Sequence, residues 1–197
     1  LLQTPSSVAY NADGSFAAGG GFVKINPLYQ WQHKSDRNVV HRAFNTLRAD
    51  FKIVDGLSFS QKVAYDFIAG KQSVLWDRYS NDGKSAGGNF QRVLNDVQQL
   101  NAQTQLNYVK AFGEHHLDAL LGFETEDYSY TVNYLNGSNY PGDLYEISNA
   151  GTTKASTEFV ENRLVSYLGR VNYNFANRYY LGLSFRRDGS SRLARSN

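Results

Sequence analysis

One stretch decides the fold: residues 165–185 read VSYLGRVNYNFANRYYLGLSF. Over residues 165–175, apolar or aromatic side chains alternate with mostly polar ones, and the alternation resumes over residues 179–185. Successive side chains of a β-strand point to opposite faces, so this period predicts two strands that each have one apolar face. The three residues between them, 176–178, are few enough for a tight hairpin.

The same alternation predicts two further hairpins. Their strands are expected at about 44–53 and 57–67 for the first hairpin, and at about 103–112 and 117–128 for the second. The pair Asp55-Gly56 joins the first two strands, and its glycine tolerates the positive φ of a tight turn. Gln61 is a polar exception on an otherwise apolar face.

Long polar stretches separate these hairpins. Residues from about 70 to 99 and from about 132 to 156 are rich in Asn, Gly, Ser and Asp, which predicts two long loops. With a first strand expected around Lys24–His33, the count is about seven strands, too few and of the wrong parity for a closed bacterial barrel. Short turns that alternate with long loops, and apolar stripes of about nine to twelve residues, are typical of outer-membrane barrels. The pattern therefore predicts an all-β, antiparallel transmembrane barrel fragment over residues 1–197, completed by strands from the rest of a longer polypeptide.

Composition excludes several classes of protein. The 197 residues carry a net charge of only +2, which argues against a nucleic-acid binder, and 41% are hydrophobic, which argues against a disordered chain. There are 14 Tyr and 12 Phe but neither Cys nor Met, a composition that favours aromatic β-structure without disulfides. No apolar run approaches the roughly 18 residues of a membrane-spanning helix, and no signal peptide is evident at the start of the chain. The mean hydropathy of −0.50 does not distinguish a soluble protein from a barrel, because a barrel alternates lipid-facing and polar residues.

Several segments resemble the barrel of SusC/RagA-type TonB-linked outer-membrane proteins. The most specific reads SYLGRVNYNF at 166–175, followed by RYYL at 178–181 and SFRRDGSSR at 184–192. FGEHHL at 112–117 is similar to a family hairpin, and Gly56-Leu57-Ser58-Phe59 with Tyr65-Asp66 is similar to another. A fourth and weaker similarity lies in residues 11–15 and 26–28.

The resemblance implies a barrel of about 22 strands that encloses a plug domain and imports nutrients across the outer membrane of a diderm bacterium. It also implies a SusD-like surface lipoprotein as partner, outer-membrane lipid around the barrel, and energy from the TonB complex through an N-terminal part of the parent protein. The plug domain, TonB box, signal peptide and C-terminal strands are not recognisable in this sequence. No cofactor is expected.

Side chains on the two strand faces are assigned different roles. The aromatic residues beside the short turns are expected to form a membrane girdle, with packing in a soluble core as the alternative: Phe112, Tyr173, Phe175 and Tyr179. The charged residues on the polar faces suit either a hydrated lumen or an ordinary solvated surface, and the resemblance favours the lumen: Arg48, Lys52, Lys62, Glu124, Arg170 and Arg186.

Loop aromatics are the candidates for substrate contact. They are Trp76 and Tyr79 in the first long loop, and Tyr140 and Tyr145 in the second. Aromatic rings can stack on sugars or contact peptide side chains. Packing within the loops or against a partner lipoprotein is the alternative.

Catalytic and metal sites are not expected. His33, His41 and the pair His115-His116 do not have the spacing of a metal site, and the pair is expected to shape its turn. Asp188-Gly189-Ser190-Ser191 lacks the Lys and the helix of a phosphate-binding loop. No nucleophile motif is present.

Three functional hypotheses therefore remain. The leading one is a segment of an importer of glycan oligomers or peptides. The first alternative is a structural or secretion-associated outer-membrane barrel, and the second is a soluble β-sandwich that acts as a binding module.

Overall fold

The computed structural model describes residues 8–18 and 26–192. Its main feature is a six-stranded sheet in which each strand is hydrogen-bonded to the next one along the chain. The strands are β1 (Lys34–Val54), β2 (Leu57–Trp76), β3 (Asn89–Phe112), β4 (His115–Ser138), β5 (Thr152–Phe175) and β6 (Tyr179–Ser190). Short helices occupy α1 (Pro27–Gln32), Lys84–Ala86 and Ile147–Asn149.

All three predicted hairpins are confirmed. Their turns lie at Asp55-Gly56, Gly113-Glu114 and residues 176–178. In the third turn Ala176 and Asn177 both have a φ of 53°, a left-handed conformation that reverses the chain in few residues. Phe175 and Tyr179 then face each other as the first pair of the β5–β6 ladder.

The expected strand around Lys24–His33 is wrong for its described residues, 26–33, and residues 24 and 25 lie outside the described residues. Residues Pro27–Gln32 form α1, so the described residues contain six strands rather than about seven. The Asn26 side chain accepts a hydrogen bond from the Leu28 amide, and Pro27 occupies the first turn, where its missing N–H costs nothing. The cap and the proline together start a helix where the sequence analysis expects a strand.

The loops are shorter than the sequence predicts. The connection between β2 and β3 covers residues 77–88 rather than about 70–99, and the one between β4 and β5 covers 139–151 rather than about 132–156. Polar residues at the strand ends join the ladder because the neighbouring strand offers every backbone N–H and C=O a partner. The alternation of short turns with longer connections still holds.

The chain divides into two compact units. The first, here called the loop unit, comprises the described residues of Leu1–Val40 with Gly70–Asn95 and Val132–Glu158, and it contains both longer connections. The second, the turn unit, comprises His41–Ala69, Asp96–Thr131 and the described residues of Phe159–Asn197, and it contains the three tight turns.

The described residues lack the core of a soluble domain. Their buried apolar side chains are Ala17, Ala64, Phe90, Val132 and Tyr140, whereas many large apolar side chains on the strands are exposed. A soluble sandwich needs a second sheet to cover the apolar face of the first, and the described part of the chain forms a single sheet. This arrangement argues against the soluble β-sandwich hypothesis.

Candidate functional site

The turn unit presents one apolar face along β5 and β6. Val171 lies opposite Leu183, and Tyr173 lies opposite Leu181. Directly opposed residues of an antiparallel pair project from the same face. Leu183 is 63% exposed, so nothing in the described part of the chain covers the middle of this face.

The apolar face continues over the other strands of the turn unit. The rings of Phe51 and Phe59 are 6.3 Å apart on β1 and β2, and those of Phe123 and Tyr167 are 5.2 Å apart on β4 and β5. Gln61, the polar exception, accepts a 2.7 Å hydrogen bond from the Thr104 hydroxyl. The two polar groups satisfy each other, which lowers the cost of placing them on an apolar face.

Aromatic rings gather beside the turns at one end of this face. This turn cluster consists of Phe112, His115, Tyr173, Phe175 and Tyr179. The His115 ring lies 5.7 Å from Phe112 and 4.8 Å from Phe175, and its Nδ1 is 2.6 Å from the Tyr173 hydroxyl. The structure thus brings the four predicted girdle residues together, and their contact with lipid stays a prediction.

His115 is a member of the turn cluster that the sequence reasoning missed. The sequence predicts that His115 shapes the turn, whereas in the structure it is the first residue of β4. Counting back by twos from Leu121 and Leu117 places His115 on the apolar face. That alternation was the signal that could have found it.

An ion pair marks the other end of the apolar face. Arg163 on β5 pairs with Asp127 on β4, and both lie four residues beyond the ring pair Tyr167 and Phe123. Residues four apart on a strand share a face, so the face changes from aromatic to charged at this point. The apolar band is therefore bounded by the turn cluster on one side and by this ion pair on the other.

The opposite face of the turn unit is polar. Arg186 lies 3.4 Å from Glu124 and 2.9 Å from Asp188, and its Nη2 is 3.3 Å from the Ser166 hydroxyl. Arg48 pairs with Asp50 at 2.9 Å, and Asp50 also accepts a hydrogen bond from Ser60.

The remaining predicted lumen residues either pair at the β1–β2 turn or lack an ion-pair partner in the described part of the chain. Lys52 pairs with Asp55 at the turn, 3.4 Å away, and Lys110 lies 3.3 Å from the same carboxylate. For Lys62 and Arg170 the described part of the chain provides no ion-pair partner, and both are exposed. Contact of any of the six predicted residues with a lumen stays a prediction.

The loop unit is organised around Arg78. Its Nη2 donates to the carbonyl oxygens of Tyr140 and Gly142, at 2.5 and 2.6 Å. Its Nε lies 3.3 Å from Asp143 without the alignment of a hydrogen bond. One guanidinium therefore ties the connection 77–88 to the connection 139–151.

Three tyrosines complete this loop cluster, which consists of Arg78, Tyr79, Tyr140, Asp143 and Tyr145. The Tyr79 and Tyr145 hydroxyls both donate to Asp143, at 3.3 and 3.2 Å. The charge of Asp143 raises the pKa of Tyr79 above its ordinary value, and burial raises the pKa of Tyr140. Both phenols are therefore protonated at neutral pH.

The predicted substrate contacts fall into two groups. Tyr140 is only 4% exposed and packs edge-on against Tyr145 with ring centroids 5.0 Å apart, so the Tyr140 ring packs within the loop cluster rather than at its surface. Tyr79 is 51% exposed. Trp76 lies at the end of β2 rather than in a loop, and the Lys34 ammonium lies 5.5 Å from the centroid of its ring. Tyr79 therefore remains an exposed candidate, whereas Trp76 is half-buried. Tyr145, which accepts a hydrogen bond from the Arg78 amide, has a packing role as well.

Arg78→Lys is expected to loosen the connection 139–151. A lysine keeps the charge but cannot reproduce the planar fork that reaches two carbonyl oxygens, and hydrogen bonds to charged groups contribute about 1.5–3 kcal/mol each. Loss of one such bond predicts at least about tenfold faster hydrogen–deuterium exchange in 139–151, measured in the full-length parent protein. Arg37→Lys is the control, because the described residues give Arg37 no partner. Unchanged exchange in Arg78→Lys would contradict the tie.

Two other features are absent from the described residues. Within 8–18 and 26–192, no group of three or more His, Cys, Asp or Glu is arranged to hold a metal ion. No helix in these ranges is both long and apolar enough to cross a membrane.

Comparisons with known proteins point to one group. No protein-family model matches the chain. The TonB-dependent receptor P3 of Formosa agariphila is 28% identical over an alignment of 209 positions that covers 98% of this chain and 20% of the receptor. The TonB-dependent receptor SusC of Bacteroides thetaiotaomicron is 26% identical over 178 residues, which cover 87% of this chain and 17% of SusC. The chain thus spans a fifth or less of these relatives.

Solved structures show the same likeness. A structure of the RagAB peptide transporter superposes with a TM-score of 0.80 at 20% identity, over 95% of this chain and 22% of that one. The RagAB peptide importer in its open-open state gives a TM-score of 0.79 at 19% identity. At this identity the superposition shows a shared fold, and the curated relatives add the matching sequence. The chain therefore has the fold of part of the RagAB structures, and its sequence and motifs are similar to those of SusC-type TonB-dependent receptors.

Proposed function

We propose that this chain forms part of the wall of an outer-membrane importer that takes up glycan oligomers or peptides in a diderm bacterium. The observation that carries the proposal is the exposed apolar band between the turn cluster and the Arg163–Asp127 ion pair. Such a band, flanked by aromatic rings and backed by a polar face, suits a strand wall between lipid and a hydrated interior. The relatives, named as receptors and as a peptide transporter, support import rather than catalysis.

A SusD-like surface lipoprotein is the proposed partner, and the TonB complex is the proposed energy source. The loop unit is the proposed side of contact with the lipoprotein and the substrate. It presents exposed aromatic side chains, among them Tyr79 of the loop cluster, and Arg78 ties this cluster together. A rigid loop surface loses little conformational entropy when a partner or a substrate binds.

Deletion of the parent gene tests the proposal. We expect the mutant cells to lose uptake of a fluorescent oligosaccharide or oligopeptide, and we expect a protonophore to abolish the same uptake in wild-type cells. Affinity purification of the parent protein is expected to recover a SusD-like lipoprotein. Unchanged uptake, together with recovery of secretion components and no such lipoprotein, would instead favour the structural or secretion-associated barrel.

A further inference from the structure

A groove in the loop unit lies apart from the loop cluster around Arg78. It has a volume of about 630 Å³ and is lined by residues of β3, β4 and β5. Its polar lining comes from Gln91, Tyr134, Asn136, Lys154 and Ser156. The polar composition of the sequence predicts long loops at all of these residues, whereas the structure places them on strands.

The groove residues of β3 and β4 share one face of the sheet. Asn136 Nδ2 donates a 2.7 Å hydrogen bond to Asn89 Oδ1, so these two side chains project on the same side. Gln91 and Tyr134 each lie two residues further along their strands, which keeps them on that side.

The polar groups of the groove have unused hydrogen-bonding capacity. In the described part of the chain, the side chains of Gln91, Tyr134, Lys154 and Ser156 have no hydrogen-bond partner, and Asn136 uses only one amide hydrogen toward a side chain. The positive charges of two arginines in the same unit are balanced by nearby carboxylates, because Arg78 lies by Asp143 and Arg92 lies by Glu146. The Lys154 ammonium has no such carboxylate, although it borders the groove.

The lining suits one chemical class of ligand. An ammonium, a phenol and a hydroxyl can all donate to a carboxylate, and the Gln91 and Asn136 amides can both donate to and accept from the amides or hydroxyls of the attached chain. Glu158, two residues beyond Ser156 and about 13 Å along the strand from Lys154, disfavours a second carboxylate at that end. Val93 gives the groove an apolar patch for a carbon skeleton.

We propose that this groove binds the carboxylate-bearing end of an oligomer, with the carboxylate at Lys154 and the adjoining residue between Gln91 and Asn136. The inference rests on the proposed import function, because it assigns a substrate class to the importer. A free peptide carboxyl group and a uronic acid present the same chemistry. The test includes both.

Binding to the purified full-length parent protein tests the groove. The probes are a short alanine–glycine peptide with a free C-terminus and its C-terminal amide, and a uronate oligosaccharide and its carboxyl-reduced form, titrated by calorimetry. We expect the wild-type protein to prefer a carboxylate probe over its neutral counterpart, and Lys154→Gln to weaken that probe about five- to tenfold without affecting the neutral one. Lys84→Gln, an exposed lysine outside the groove, is expected to change neither.

The outcomes separate the groove from the import function. Preference for only the peptide acid or only the uronate supports the groove and names the source of the carboxylate. Equal weakening of the charged and neutral probes by Lys154→Gln, no effect on either, or no binding of any carboxylate probe to the wild-type protein overturns it. Lysine-dependent binding in a protein whose gene deletion leaves uptake unchanged supports the groove and overturns import.

Discussion

Leu183→Arg is expected to prevent assembly of the parent protein in the outer membrane, whereas Ser184→Arg on the next position is expected to be tolerated. Leu183 lies midway between Tyr179 of the turn cluster and Arg187, four residues from each. The distance from Tyr179 to Arg187 is about 27 Å along the strand, or about 20 Å across a membrane at the usual tilt. An arginine on the lipid face at the bilayer midplane costs about 2–4 kcal/mol.

The neighbouring position supplies a matched control. Ser184 lies opposite Arg170, whereas Leu183 lies opposite Val171, so the two substitutions introduce the same charge at the same depth on different faces. Assembly is measured by heat-modifiable migration of the full-length protein extracted from outer-membrane fractions. Equal tolerance of the two arginines would contradict a lipid contact for the apolar face. Equal loss would show that strand disruption, and not the face, decides the outcome.

Gly56→Ala is expected to destabilise the β1–β2 hairpin strongly. Gly56 has a φ of +82°, in the left-handed region that costs an L-residue roughly 1–2 kcal/mol. A Cβ at this position would also lie within 2.4 Å of the Val109 carbonyl oxygen, and Val109 donates its own amide to the Gly56 carbonyl at 2.7 Å. Because the clashing atom belongs to the backbone of β3, the substitution must shift β2 and β3 relative to each other. This shift is expected to lower the free energy of unfolding by a further amount of about 1–3 kcal/mol.

Gly113→Ala separates the two contributions. Gly113 occupies the β3–β4 turn with a φ of +61°, and a Cβ there would meet nothing within 4 Å. Urea unfolding of the full-length protein in lipid vesicles is expected to show a loss of roughly 1 kcal/mol for Gly113→Ala and at least twice that for Gly56→Ala. Similar losses of unfolding free energy in both variants would show that the contact with Val109 does not add to the effect of Gly56→Ala.

The sequence predicts the turn unit well because one face of each strand is consistently apolar. Alternation over 165–175 and 179–185 gives both strands and the turn between them, and the structure pairs Phe175 with Tyr179 as expected. The strand that failed, around Lys24–His33, has no comparable alternation and contains Pro27. There a local hydrogen bond from the Leu28 amide to Asn26, together with the proline, determines a helix.

The loop unit was harder to predict because its order depends on contacts between distant segments. Polar composition suggested that the strands end near residues 70 and 132, yet hydrogen bonding to neighbouring strands carries β2 to Trp76 and β4 to Ser138. Tyr140 lies in a polar stretch that predicts an exposed loop aromatic. However, Arg78, far away in sequence, donates a hydrogen bond to its carbonyl oxygen, and its ring is buried. No local pattern in the sequence specifies such a contact.

A barrel wall requires the odd-numbered residues of β6 to face lipid and the even-numbered ones to face water. This chain has no cysteine, which simplifies single-cysteine spin labelling of the full-length protein in outer-membrane vesicles. Collision rates of the label are measured with oxygen, which concentrates in lipid, and with a water-soluble nickel complex. We predict that oxygen dominates at 181, 183 and 185 and that the nickel complex dominates at 182, 184 and 186. Uniform access of the nickel complex to all six positions would show that neither face of β6 contacts lipid.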